Sequence, residues 1–231
     1  MKITYVDHSS FLLEEESFYL LFDYFQGEIP MMDKAKKLYV FSSHAHHDHF
    51  SFKVFDKVRN MEDVTYIFSK DIRKKFNKNY FLKEGISEET YESIYFLKEY
   101  ESYQDEHIEV KTFKSTDEGV AFAVLTQREN IYHAGDLNWW TWPGETTEDA
   151  KRREETYKKE IEMVKEYSFD LAFLPLDPRQ KERFYLGFDW FAKRVDAKQL
   201  IPMHMWGDFS VVDLLKQKEC SESYRQKISF S

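Results

Sequence analysis

Positions 44 to 49 read His44-Ala45-His46-His47-Asp48-His49, which gathers four of the chain's eight histidines into six residues. Core packing explains such density poorly, because each buried imidazole needs its own polar partner. A bound metal ion is the economical partner. His44 and His46, two apart at the end of an extended strand, project to one side, while Asp48 and His49 are placed to turn toward a second ion from the loop that follows. His47 points the other way in that geometry and is not counted as a ligand. Imidazole and carboxylate together suit Zn2+ and also fit Mn2+ or Fe, so ligand type alone does not name the metal.

The elements that must position these groups can be read from the flanking residues. Leu38-Tyr39-Val40-Phe41 is apolar throughout, as a buried central strand is, and it leads through Ser42-Ser43 into the histidines. The cluster is thereby mounted on a strand's carboxyl end, where ligand-binding loops commonly sit. Ahead of it, β-prone runs at 3–6, 11–13 and 18–22 read as consecutive antiparallel strands, with Glu14-Glu15-Glu16 as an exposed hairpin turn. Beyond it come a strand at 64–68, a basic helical stretch at 70–75, and further strands at 94–97, 108–113, 120–126 and 131–134. Residues 147–167 read as a long charged surface helix with Tyr157, Ile161, Val164 and Tyr167 as its apolar stripe. The last third alternates a strand at 170–174, a helix at 190–195, a strand at 200–201 and a helix at 211–218. No repeat, Pro-rich or Gly/Ser-rich linker or low-complexity tract marks a boundary, so residues 1–231 read as one domain. The class is α/β, with two sheets packed together and helices outside.

His44, His46, Asp48 and His49 match the His-x-His-x-Asp-His signature, and here the chain resembles the metallo-β-lactamase superfamily. Later residues resemble that family in the same order. Asp23, after the strand at 18–22, resembles its early structural aspartate. His133-Ala134-Gly135-Asp136 resembles its strand ending in a metal-bridging aspartate, and Pro202-Met203-His204 its final ligating histidine. The resemblance implies a four-layer αββα sandwich of two mixed β-sheets flanked by helices, with two divalent metal ions, Zn first and Mn or Fe as alternatives. His44 and His46 would define one metal position, and Asp48, His49 and His204 the other. Asp136 would bridge the two, its paired oxygens and negative charge suiting that place. Asp48 and Asp136 are the residues assigned to catalysis.

The pattern departs at one point. Family members usually supply another histidine from the loop after the segment at 108–113, and here that loop reads Lys114-Ser115-Thr116-Asp117-Glu118-Gly119. His107 lies before the strand, some 20 Å from the required end at about 3.3 Å per residue, and is rejected. Asp117 is the preferred replacement and Glu118 the second choice; the competing reading of Asp-Glu-Gly is a turn cap. His133 is either support for Asp136 or a strand residue facing away. His8-Ser9-Ser10-Phe11 resembles the start of members related to ascorbate-phosphate lactonases, where such residues lie near the site.

Two ions about 3.5–4 Å apart would generate hydroxide at neutral pH and polarise a carbonyl or phosphoryl oxygen, so hydrolysis of a small-molecule ester, lactone or phosphodiester is the implied reaction. Trp139, Trp140 and Trp142 follow Asp136 and either wall a substrate pocket or anchor the long helix to the sheet. Arg179, after the strand at 170–174, either meets an anionic substrate group or forms a surface salt bridge. The net charge of −9 disfavours a nucleic-acid partner, although a nuclease of the same fold is one alternative. The other is a noncatalytic binding protein with a degenerate metal site, suggested by the missing histidine. No apolar run approaches the roughly 18 residues of a spanning helix, so no membrane partner is expected. The lone Cys220 and the absence of a signal-like apolar start point to the cytoplasm.

Overall fold

A computed structural model describes residues 1–230. The chain divides into two compact units, Met1–Glu101 and Ser102–Ser231.

The first unit carries a mixed six-stranded sheet built from β1 (Lys2–Asp7), β2 (Ser10–Glu14), β3 (Phe18–Phe22), β4 (Lys37–Ser42), β5 (Val64–Ser69) and β6 (Tyr95–Leu97), in that spatial order. As expected, β1, β2 and β3 are antiparallel neighbours; β3 to β6 are parallel. Alternate residues of the central strands, Leu12, Tyr19, Leu21, Leu38, Val40, Tyr66 and Phe68, share a face and pack into one apolar cluster. That cluster includes Val54, Phe55 and Val58 of α1 (Lys53–Val58), Ile72 of α2 (Lys70–Lys75), Phe81 of α3 (Lys78–Lys83) and Tyr91 of α4 (Glu88–Glu92). The alternate set, Leu13, Leu20, Phe22, Tyr39, Phe41 and Ile67, is buried as well. Burial on both faces is why these strands read as unbroken apolar runs.

The second unit carries the other mixed sheet, in the order β12-β11-β10-β9-β8-β7. Its strands are β7 (Ser102–Gln104), β8 (Ile108–Lys114), β9 (Val120–Thr126), β10 (Asn130–His133), β11 (Ser168–Pro175) and β12 (Asp196–Met203). β7 to β10 are antiparallel and β10 to β12 parallel. The long helix α5 (Thr147–Val164) starts at Thr146, whose hydroxyl accepts the Asp149 N–H at 3.1 Å. It buries Tyr157, Ile161 and Val164 as the sequence predicts, and Glu160 besides. α6 (Leu186–Ala192) and α7 (Ser210–Gln217) complete the unit. Two mixed sheets, each with its own helices, are the α/β class expected.

Several boundaries differ from expectation. α1, α3, α4 and β7 went unread because elements of three to six residues are too short to display a period. The stripe residue Tyr167 falls beyond α5, which ends at Val164 and is capped by Lys165. α6 begins at Leu186, before Gly187, and residues 193–195 lie outside it. β12 spans eight residues rather than two, its exposed Lys198 and Gln199 having masked it. Glu15 is not a solvated turn residue: it is buried, 3.7 Å from the amino-terminal ammonium, and its carbonyl accepts the Lys36 ammonium at 2.9 Å.

Gly187 is one glycine the packing requires. A Cβ there would lie 1.9 Å from Asn138 Oδ1 and 2.9 Å from the Trp139 backbone nitrogen. Its carbonyl accepts the buried Tyr157 hydroxyl at 2.7 Å, tying α6 to α5. Gly187→Ala should therefore destabilise the fold by about 1–3 kcal/mol, read as a lower denaturant midpoint at unchanged slope. A midpoint equal to wild type would mean that this contact relaxes without cost.

Candidate metal site

In the first unit the site begins with strand register. β3 and β4 are parallel with Phe22 opposite Phe41, so Asp23 and Ser43 leave the sheet side by side. Asp23 is fully buried and adopts φ 45°, a left-handed conformation that Asp tolerates better than most residues. Its Oδ1 accepts the Ser43 N–H at 2.7 Å, and its Oδ2 accepts both the Ser43 hydroxyl and His49 Nδ1, each at 2.7 Å. A carboxylate only accepts, so the His49 proton sits on Nδ1 and the lone pair on Nε2. Having donated its proton to Asp23, the Ser43 oxygen can accept from His44 Nδ1, 3.0 Å away, which fixes His44 in the same tautomer. His44 Nε2 then lies 3.0 Å from His46 Nδ1.

The loop is braced from a third strand. Asp71, in the first turn of α2 after β5, accepts the Ala45 N–H at 2.8 Å, and Lys75 one turn on donates to the Ala45 carbonyl at 2.9 Å. Both peptide groups of Ala45, between His44 and His46, are thus held by α2. His49 Nε2 stands 3.9 Å from Asp48 Oδ2, and His8 Nε2 stands 3.4 Å from the same oxygen. His47 is 88% exposed, as expected of a residue turned away.

In the second unit the same logic uses three adjacent parallel strands. Asp136, Asp177 and His204 each follow the carboxyl end of one, with His133 opposite Phe173 and Pro175 opposite Met203. Asp177, fully buried, accepts from His204 Nδ1 at 3.1 Å and from one edge of the Arg179 guanidinium, Nε at 3.0 and 2.9 Å and Nη2 beside it. Burial pushes the Asp177 carboxyl up, yet the hydrogen bonds from His204 and Arg179 outweigh it and hold it below the usual carboxylate range. His204, at φ 62°, turns Nε2 to within 3.4 Å of Asp136 Oδ1. His133 is fully buried, and its Nδ1 accepts the Gly135 N–H at 3.2 Å, bracing the turn that carries Asp136.

The loop that lacks the expected histidine does something different. Asp117 and Glu118 are exposed, and the Asp117 N–H is capped by the Ser115 hydroxyl at 3.1 Å. Among the described residues, neither belongs to a group of three or more ligand atoms. Thr116 is the loop's working residue: its hydroxyl donates to the Asn138 carbonyl at 2.6 Å and accepts the Asn138 N–H at 3.0 Å, pinning the segment after Asp136.

The tryptophans make different contacts. Trp139 faces Trp190, with the Lys158 ammonium of α5 4.4 Å from its ring centre, so it anchors the long helix. Trp140 donates to the Asp136 carbonyl at 2.9 Å, stacks on Trp142, and meets the His204 ring edge-on at 5.5 Å. Trp142 lines a cavity of ≈ 400 Å3 with Glu145, Gln180, Lys181 and Arg183. Arg179 lies over Trp206, 4.4 Å from its ring centre, and also faces Trp142. Asp71, Thr116 and the pairing of Asp177 with His204 were not foreseen; the one available signal was their place just past strand ends.

These donors fit a metal. His49 and His204 each bind a carboxylate through Nδ1 and turn Nε2 toward a second carboxylate at 3.4–3.9 Å. A direct hydrogen bond would close that distance to about 2.8 Å, whereas ligands on one tetrahedral ion with bonds near 2.1 Å stand about 3.4 Å apart. Asp23→Asn keeps the backbone preference but replaces an acceptor by a donor, so metal affinity should fall about 10–100-fold in chelator competition. Unchanged affinity would remove Asp23 from the site. For Asp177 the ionised form contributes stability above the ordinary pKa of about 3.9, and that contribution is lost as pH falls through its lower native value. The stability gap between wild type and Asp177→Asn, open at neutral pH, should narrow in denaturant titrations below about pH 4.

Residues 2–143, more than half of the chain, match the family described as the beta-lactamase superfamily domain. Among solved structures the chain is similar to Igni18, a metallo hydrolase of the hyperthermophilic archaeon Ignicoccus hospitalis, at 16% identity and TM-score 0.65, over 99% of this chain and 94% of that one. It is similar to the short form of human tRNase Z at 14% identity and TM-score 0.54, over 97% and 89%. It is also similar to CmlA, a diiron β-hydroxylase of Streptomyces venezuelae, at 12% identity and TM-score 0.60, over 88% of this chain but 44% of that one. At such identities the likeness is one of fold. No curated protein matches the sequence. With the family matched over more than half of its length, the chain belongs to the metallo-β-lactamase superfamily.

Proposed function

We propose that this protein is a metal-dependent hydrolase acting on a small-molecule ester, lactone or phosphodiester. The observation that carries the reading is the shared state of His49 and His204: each has its proton directed to a buried carboxylate and its lone pair directed at another. That is how ligating histidines are prepared. His44, His46, Asp48 and His49 of the first unit, and Asp136 and His204 of the second, would be the metal-holding residues, the ions two in number and Zn2+ first. Asp117 stays a candidate by sequence alone, its exposure being an argument against it.

When bound, the ions supply an activated water and polarise the substrate's carbonyl or phosphoryl oxygen. The chain's own residues do the rest. Asp23, Ser43 and Asp177 keep the ring tautomers, Asp71 and Lys75 hold the histidine loop, and Thr116 and His133 hold the turn carrying Asp136. The cavity beside Trp142 is lined by Lys181 and Arg183 and also by Glu145 and Glu182, a polar, charge-balanced pocket of a size that a small molecule fills. A small substrate also agrees with the net charge of −9, which repels polyphosphate.

The test is metal analysis of the purified protein with turnover measured on ester, lactone and phosphodiester panels. Chelation should abolish turnover and Zn2+ or Mn2+ restore it. Asp48→Ala and Asp136→Ala should each lower the rate by at least about 100-fold, the upper end of what loss of a supporting residue costs. Failure to take up metal under replete conditions, or turnover indifferent to chelator, would sink the proposal; metal uptake without turnover would favour a binding protein.

A further inference from the structure

We infer that His8 is an additional ligand of the metal position that Asp48 and His49 define. This rests on the metal reading above and adds a residue that reading does not use. His8 occupies the two-residue turn between β1 and β2, where Asp7 pairs with Ser10. Turns normally face water, yet His8 is 4% exposed and Ser9 and Ser10 are fully buried. Its backbone sits at φ 53°, a left-handed conformation that glycine or asparagine adopts far more readily. The Tyr5 hydroxyl locks it there by accepting the His8 N–H at 2.7 Å. A hairpin that needed only a turn at this point would be better served by Gly.

The turn puts the imidazole at the right edge of the sheet. β1 and β3 are both antiparallel to β2, so β1 ends on the same side as β3, whose end carries Asp23. His8 Nε2 lies 3.4 Å from Asp48 Oδ2, and the His8 and His49 rings meet edge-on with centres 5.8 Å apart. The ligand atoms of His8, Asp48 and His49 all lie within 4.8 Å of one another. An N···O distance of 3.4 Å is too long for a hydrogen bond and is the separation of two ligands on a tetrahedral ion with bonds of about 2.1 Å. His8 thus brings an imidazole nitrogen to the Asp48 side of the site.

The variant His8→Gly tests this, because Gly accepts the positive φ and the fold should persist. Wild type and variant are saturated with Co2+, and the exchangeable imidazole N–H protons shifted by the paramagnetic ion are counted by NMR. The variant should show one fewer and bind Co2+ at least about tenfold more weakly. N-methylimidazole, which can coordinate but has no N–H to donate, should restore the affinity. An equal number of shifted protons, or restoration by imidazole but not by N-methylimidazole, would overturn the assignment, the latter making His8 a hydrogen-bond donor to Asp48. Wild type that takes up no Co2+ would overturn the metal reading itself, a different result from wild type that binds while His8→Gly matches it.

Discussion

One buried carboxylate organises the first unit's half of the site. Asp23 has no contact with solvent, so its charge must be met by hydrogen bonds. Three of them come from the Ser43 backbone, the Ser43 hydroxyl and His49. Remove it and three things fail together: the path of the chain leaving β4, the proton position on His49 and, through the serine oxygen, the proton position on His44. None of these is set by the histidines themselves. They depend on β3 and β4 being parallel and in register, which places two loop starts a hydrogen bond apart.

The second unit reaches the same end with different residues. Asp177 does for His204 what Asp23 does for His49, again from a neighbouring parallel strand. Each sheet is antiparallel at its start and parallel where the ligands emerge. Parallel neighbours bring successive carboxyl ends to one edge, so side chains distant in sequence can share a hydrogen bond. The cost is local strain: of the six non-glycine residues with positive φ among the described residues, His8, Asp23, His204 and Trp206 lie at these edges. Strained backbone persists where surrounding structure over-determines it, as the bonds to Asp23 and His204 do.

What the sequence disclosed and what it hid follow from this geometry. The fold class and most strands were legible because strands buried on two faces, such as residues 38–41, leave continuous apolar runs. The histidine cluster was legible because its members are adjacent in sequence. Asp177 and Asp71 were not, since their function depends on which strands are neighbours, and no local pattern records that. The 114–119 loop misled for a related reason. Asp117 carries the chemistry that a ligand search looks for, but the hydroxyl of Thr116 does the positioning, and a lone threonine in a polar loop has no signature. His8 was visible only as a resemblance; that a turn residue should be buried required the fold.

The charge balance in each unit argues that these side chains are arranged for cations rather than for one another. Asp48 and Asp136 are 8% and 5% exposed, and histidine nitrogens stand 3.4 Å from a carboxylate oxygen of each. Histidine is a weak counter-ion near neutral pH, and taking carboxylates out of water is costly unless they are well paired. A divalent cation at these edges would attract the carboxylate oxygens and the imidazole nitrogens alike. Metal uptake would then be coupled to the folding of these loops, its binding free energy offsetting the cost of burying the carboxylates.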